Sequence, residues 1–124
     1  MVYAPSVITI GDNAFFRTLE FFNFNKVTTI GNGAFRECYS LTSISLPNAI
    51  TIGDSAFINC FDLNSVDIPN VLTIGSGAFY YCNSLTSVSL PNATTIGNGA
   101  FMYCAFLNSV NIPNVTNILD SIFA

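Results

Sequence analysis

Residues 85–104 read LTSVSLPNATTIGNGAFMYC, and their spacing decides the fold. Apolar and polar residues alternate from Val88 to Leu90, as in a strand with one buried face, and Pro91 then lacks the N–H needed to continue a ladder. The next segment, Ala93-Thr94-Thr95-Ile96, is short and β-branched, which predicts a second extended piece, and Gly97 supplies a turn that a side chain would hinder. Asn98-Gly99-Ala100-Phe101 turns the chain back, with Ala100 and Phe101 directed inward.

Working outward, the same pattern fills the chain. The motif Ile-Gly-x-x-Ala-Phe begins at Ile10, Ile30, Ile52, Ile74 and Ile96, with a decayed copy at Ile118, at spacings of 20, 22, 22, 22 and 22 residues. Apolar columns run through Leu19, Leu41, Leu63, Leu85 and Leu107; through Phe22, Ile44, Val66, Val88 and Val110; and through Phe24, Leu46, Ile68, Leu90 and Ile112. Pro-Asn recurs at Pro47-Asn48, Pro69-Asn70, Pro91-Asn92 and Pro113-Asn114, and Pro5 falls in the same column. The first full copy departs from this, with Asn25-Lys26 in place of Pro-Asn and two residues fewer between Phe15 and Leu19.

A coil of 22 residues is far too small to bury its own apolar face. Stacked at strand spacing, about 4.8 Å, the copies turn each column into a ladder through a solenoid. The predicted fold is therefore a repeat solenoid of α/β or mainly-β type, about five and a half coils, forming one domain over residues 1–124. Phe15, Phe35, Phe57, Phe79, Phe101 and Phe123 are its expected spine. Cys38, Cys60, Cys82 and Cys104, also 22 apart, are expected to form a second ladder on neighbouring coils, as buried free thiols or as disulfides between adjacent coils.

Composition narrows the function. Only 8% of the residues are charged, against roughly 25% in typical soluble domains, so the surface must be built from Asn, Ser, Thr and Tyr. The three cations, Arg17, Lys26 and Arg36, lie in the first third and form no basic stripe for phosphates or an anionic membrane. No stretch approaches the roughly 18 apolar residues of a membrane span, and the first residues carry no basic, then apolar, export signal.

With no histidine there is no Ser-His or Cys-His pair, no partner for a cysteine metal set, and no base that switches near neutral pH. Asp12 and Asp54 share a column with Asn32, Ser76 and Asn98, and a paired-carboxylate site would demand more than this; Asp62 and Asp67 either lie near each other across a coil bend or, the preferred reading, are solvated surface groups. The reading is a binding protein with no catalytic, cofactor or metal residues.

The columns Leu-x-x-Ile-x-Leu-Pro-Asn and Ile-Gly-x-x-Ala-Phe, with a cysteine three residues after the Phe, resemble the BspA-like class of leucine-rich repeats over nearly the whole chain. That resemblance implies a right-handed solenoid whose long strands line one face as a parallel sheet. It also implies surface display or secretion as part of a longer protein, and adhesion to host or matrix proteins. Similar repeats in phage structural proteins keep a second function open, a spacer or assembly unit that stacks end to end. The terminal copies have no polar cap, and the last carries Leu119 for Gly and Ile122 for Ala, so the chain is expected to be part of a longer repeat protein or to have its ends covered by another chain.

Two surfaces are candidates for binding. Outward strand positions are Phe21 and Asn23, Ser43 and Ser45, Ser65 and Asp67, Ser87 and Ser89, and Ser109 and Asn111, a flat polar face on which Phe21 alone either anchors a partner or packs locally in the irregular first copy. The second lies beside the Phe column: Ile58, Tyr80, Tyr81, Met102 and Tyr103, with Tyr39, Phe61 and Phe106 just past the cysteines. In register these would form a contiguous patch, or else half of them would cover the core from outside. Asn92-Ala93-Thr94 and Asn114-Val115-Thr116 fit a glycosylation acceptor, a pattern the repeat itself generates. Thr28-Thr29, Thr73 and Thr94-Thr95 resemble the threonine arrays of ice-binding solenoids, but read as interrupted by Ile50, Leu72 and Asn117.

Overall fold

The computed structural model describes residues 2–3, 6–17, 22–116 and 122–123. Each coil has three sides: a longer strand, a two-residue strand, and a run of tight turns. The longer series, two residues in its first two members and three in the rest, comprises β1 (Val2–Tyr3), β3 (Phe22–Asn23), β5 (Ser43–Ser45), β7 (Ser65–Asp67), β9 (Ser87–Ser89) and β11 (Ser109–Asn111). The short series comprises β2 (Thr9–Ile10), β4 (Thr29–Ile30), β6 (Thr51–Ile52), β8 (Thr73–Ile74) and β10 (Thr95–Ile96). All pairing is parallel and every partner is one repeat away, so the molecule is a parallel β-solenoid of about five coils.

The two strand series differ in continuity. The short strands form one unbroken five-stranded sheet, whereas the longer strands pair as three separate two-stranded ladders, β1 with β3, β5 with β7, and β9 with β11. Side chains bridge two of the paired gaps: the Ser45 hydroxyl donates to Asp67 Oδ2 at 3.0 Å, and Asn111 Nδ2 donates to Ser89 Oγ at 3.2 Å. Among the described residues the third side holds turns and no helix, which makes the fold mainly β.

The turns close because two columns adopt left-handed backbone. One is Asn13, Gly33, Ser55, Gly77 and Gly99, with φ of 55 to 67°. The other is Arg17, Glu37, Asn59, Tyr81 and Tyr103, with φ of 57 to 61°. Alternate N–H groups then point inside the coil, as from Ala78 to Gly75 O, or across to the next coil, as from Phe79 to Ala100 O, so the turn side is hydrogen-bonded along the stack as well.

The core is the set of ladders. Phe35, Phe57, Phe79 and Phe101 are buried, and successive rings stack 5.0, 5.1 and 5.3 Å apart at 4°, 4° and 2°. Phe15 and Phe123 extend the spine at half-buried and exposed positions. The cysteines are free thiols, and each donates to a carbonyl of the preceding coil: Cys38 to Phe15, Cys60 to Phe35, Cys82 to Phe57 and Cys104 to Phe79, at 3.1 to 3.3 Å. Desolvation pushes Cys104 up to about 11 and holds Cys82 well above its ordinary value; Cys60 is raised first by a thiol hydrogen bond with Cys38 and then by desolvation. These are poor nucleophiles at neutral pH.

Candidate interaction surface

The turn side carries the aromatic ridge. Tyr80 follows the core Phe79, while Tyr81 and Tyr103 precede Cys82 and Cys104, so the alternation that buries Phe and Cys sends these tyrosines outward. The structure brings three of them together: Tyr81 and Tyr103 stack at 4.8 Å, and Tyr80 meets both edge-on at 4.9 and 5.4 Å. Tyr103 is half exposed and Tyr81 nearly so. Desolvation first, then the neighbouring Tyr103 and Tyr81 phenols, holds the Tyr80 phenol above its ordinary value, so it stays a neutral donor.

A groove of about 340 Å³ runs beside the ridge, lined on one side by Ile58, Tyr80 and Met102 and on the other by Ser55, Ser76, Gly77, Asn98 and Gly99. No charged residue occurs between Asp67 and Asp120, so the ridge and the last two coils are electrically neutral. Two of the three cations sit at the other end of the ridge, where Arg17 and Arg36 lie over the Phe16 ring at 5.1 and 5.8 Å and Arg17 pairs with Glu37 at 3.2 Å.

Other candidates fall elsewhere. Phe61 stacks on Tyr39 at 5.4 Å in a second ring pair, and Phe106 is exposed in the next column. Phe21 lies outside the described residues. The outward serines of the longer strands are exposed apart from half-buried Ser43, and Asp67 accepts from Ser45.

Two columns have structural work that the sequence did not disclose. Asp12, Asn32 and Asp54 each accept, through Oδ1, the backbone N–H of the equivalent residue one coil on, at 2.8 to 2.9 Å. A carboxylate and an amide oxygen serve alike there, which is why Asp and Asn share the column. Asn48, Asn70, Asn92 and Asn114 each donate Nδ2 to a carbonyl of the preceding coil, the last three to Pro47, Pro69 and Pro91.

The threonine reading needs correction. Thr9, Thr29, Thr51, Thr73 and Thr95 are in register along the unbroken sheet, and Ile50 and Leu72 belong to the adjacent column. The signal was present at the position before each Ile-Gly, where Thr9 and Thr51 complete the row. Among the described residues no group of His, Cys, Asp or Glu is placed to hold a metal ion, and no helix is long and apolar enough to cross a membrane.

The coil geometry defines a leucine-rich-type repeat solenoid. A model of the BspA type leucine rich repeat region matches six copies over residues 8–124, and the chain belongs to that family. A leucine rich cell surface protein from Faecalibacterium prausnitzii A2-165 is similar at 31% identity and a TM-score of 0.77, over 93% of this chain and 35% of that one. The T. pallidum leucine rich repeat protein is similar at 25% identity and 0.63, over 84% and 51%. A leucine-rich repeat protein from Bacteroides ovatus ATCC 8483 is similar at 26% identity and 0.55, over 86% and 34%. This chain thus spans between a third and a half of the length of those chains. No curated protein matches it.

Proposed function

We propose that this chain is a binding module of a cell-surface or secreted protein, and that Tyr80, Tyr81, Met102 and Tyr103 form its contact for a protein partner such as a host or matrix protein. The observation that carries this reading is conformational. Tyr81 and Tyr103 hold φ of 60° and 59°, a region where a bulky side chain costs about 1–2 kcal/mol and where Asn59 serves the same turn more comfortably. Arg17 and Glu37 hold the same conformation in earlier coils, so what sets Tyr81 and Tyr103 apart is that two exposed rings held by this turn stack on adjacent coils, an effective way to present rigid rings. Support for surface display comes from the family and from the named surface protein of F. prausnitzii.

The test replaces Tyr80 with Ser and Tyr81 and Tyr103 with Asn. Binding of the native chain to immobilised extracellular-matrix proteins is compared with that of the variant, with circular dichroism to check the fold. Loss of binding at an unchanged or higher Tm supports the ridge, and equal binding by both removes it.

A second reading rests on the face of the last coil. There Phe101, Cys104, Leu107, Val110, Ile112 and Phe123, with Asn108, line a hollow of about 440 Å³, and Val110 is 38% exposed where its counterpart Val88 is 4%. On this reading the face stacks on a second copy. Concentration-dependent assemblies in light scattering that persist in reductant and vanish with Val110→Glu support it; a monomer at all concentrations rejects it.

A further inference from the structure

We infer that the unbroken sheet carries a second binding surface, a strip for an extended, uncharged β-1,4-linked polysaccharide lying along the solenoid axis with one sugar on each coil. It uses a different face from the tyrosine ridge and stands or falls separately.

The strip is defined by its side chains. Thr9, Thr29, Thr73 and Thr95 are exposed and Thr51 half-exposed, and all five occupy equivalent register positions. Their hydroxyls make no hydrogen bond within the protein among the described residues. In the neighbouring column, by contrast, Thr28 and Thr94 turn their hydroxyls back to the carbonyls of Ile8 and Leu72 at 3.4 Å. Beyond the row lies a column of half-buried glycines, where a Cβ at Gly31, Gly53, Gly75 or Gly97 would meet the preceding coil at 2.4 to 2.8 Å, so no side chain stands beside the threonines on that edge. Ile8, Ile50 and Leu72 flank the other edge as exposed aliphatic groups. No residue of the strip is charged, and the nearest carboxylates in sequence, Asp12 and Asp54, are tied to the N–H groups of Asn32 and Ser76.

Geometry then selects the occupant. The five threonines sit at equivalent register positions on strands one coil apart, so the row repeats at the spacing of adjacent parallel strands, about 4.8 Å. An extended peptide laid along it advances about 3.3 Å per residue and a polyproline helix about 3.1 Å, and neither repeats with the coil. The flat ribbon of a β-1,4-linked pyranose chain advances by nearly one coil per sugar. Successive sugars are flipped, so each site must both donate and accept, as a threonine hydroxyl does. Their apolar C–H faces would rest on the threonine methyls and on Ile50 and Leu72.

Sedimentation with microcrystalline cellulose and with chitin, combined with calorimetric titration of cellohexaose and chitohexaose, tests this on the full chain. The native protein is expected to be retained on at least one solid and eluted by the matching hexasaccharide. Thr51→Val with Thr73→Val, which keeps shape and strand propensity, should lose that retention at an unchanged Tm, while the tyrosine-ridge variant keeps it. Three outcomes overturn the proposal: no retention of the native chain, retention indifferent to the two valines, or thermal hysteresis in ice growth without polysaccharide retention, which would make the row a water-ordering surface.

Discussion

At Gly75 a Cβ would sit 2.4 Å from the Asp54 carboxylate, 2.5 Å from the Asp54 nitrogen and 2.6 Å from the Gly53 carbonyl carbon, whereas at Gly11, in the first coil, it would meet nothing within 4 Å. The same residue in the same motif therefore has opposite tolerance. Gly75→Ala is expected to cost about 1–3 kcal/mol or more by forcing two coils apart, and Gly11→Ala to stay within about 0.5 kcal/mol, both read from urea unfolding. The tyrosines give a second test at this scale. Tyr81→Asn should raise stability by up to about 1 kcal/mol, because asparagine tolerates left-handed backbone, while weakening partner binding in a surface-plasmon assay. A simultaneous fall in both would mean that the ring contributes packing and not recognition.

Among the elements, the Phe ladder and the turn it closes act as one unit. Phe79 is buried between Phe57 and Phe101, at 5.1 and 5.3 Å, so deleting its ring leaves a cavity with rigid walls on both sides. Phe79→Ala is expected to destabilise the chain by about 3–5 kcal/mol in chemical denaturation. Phe123 stacks on one side only and is 46% exposed, so Phe123→Ala should cost clearly less than Phe79→Ala. Equal costs for the two would show that the end coil is packed like the middle ones.

Across the whole molecule, the thiol ladder links stability to pH. Burial pushes Cys104 up to about 11 and holds Cys82 above its ordinary value, against about 8.5 for an unfolded thiol. A raised folded-state value favours the protonated form, so this stabilisation is complete below the unfolded value and is lost as pH climbs toward the folded one. Melting temperature should therefore fall between about pH 8.5 and 11, and less steeply in a Cys82→Ala, Cys104→Ala variant. A flat profile in the native chain would show that the thiols do not sense folding. The uneven distribution of charge, with all cations in the first third and none of either sign between Asp67 and Asp120, also belongs to this scale and confines neutral recognition to the last coils.

Much of this was readable from the chain alone. Equal spacing of Phe, Cys, Leu and Ile requires equivalent environments, and a 22-residue copy with an apolar face must stack, so the period fixed the solenoid, its core columns and the outward side of the tyrosines. Spacing cannot say how neighbouring coils meet. Only the tertiary structure decided that the short strands form the unbroken sheet, that Asp12, Asn32 and Asp54 cap N–H groups one coil on, and that Thr9 and Thr51 complete a row in register. It also decided that the tyrosines meet one another while Phe61 pairs with Tyr39. The physical reason is that a repeat specifies each coil's shape locally, whereas rotation, register and side-chain partners come from the contact between coils, which no single repeat contains.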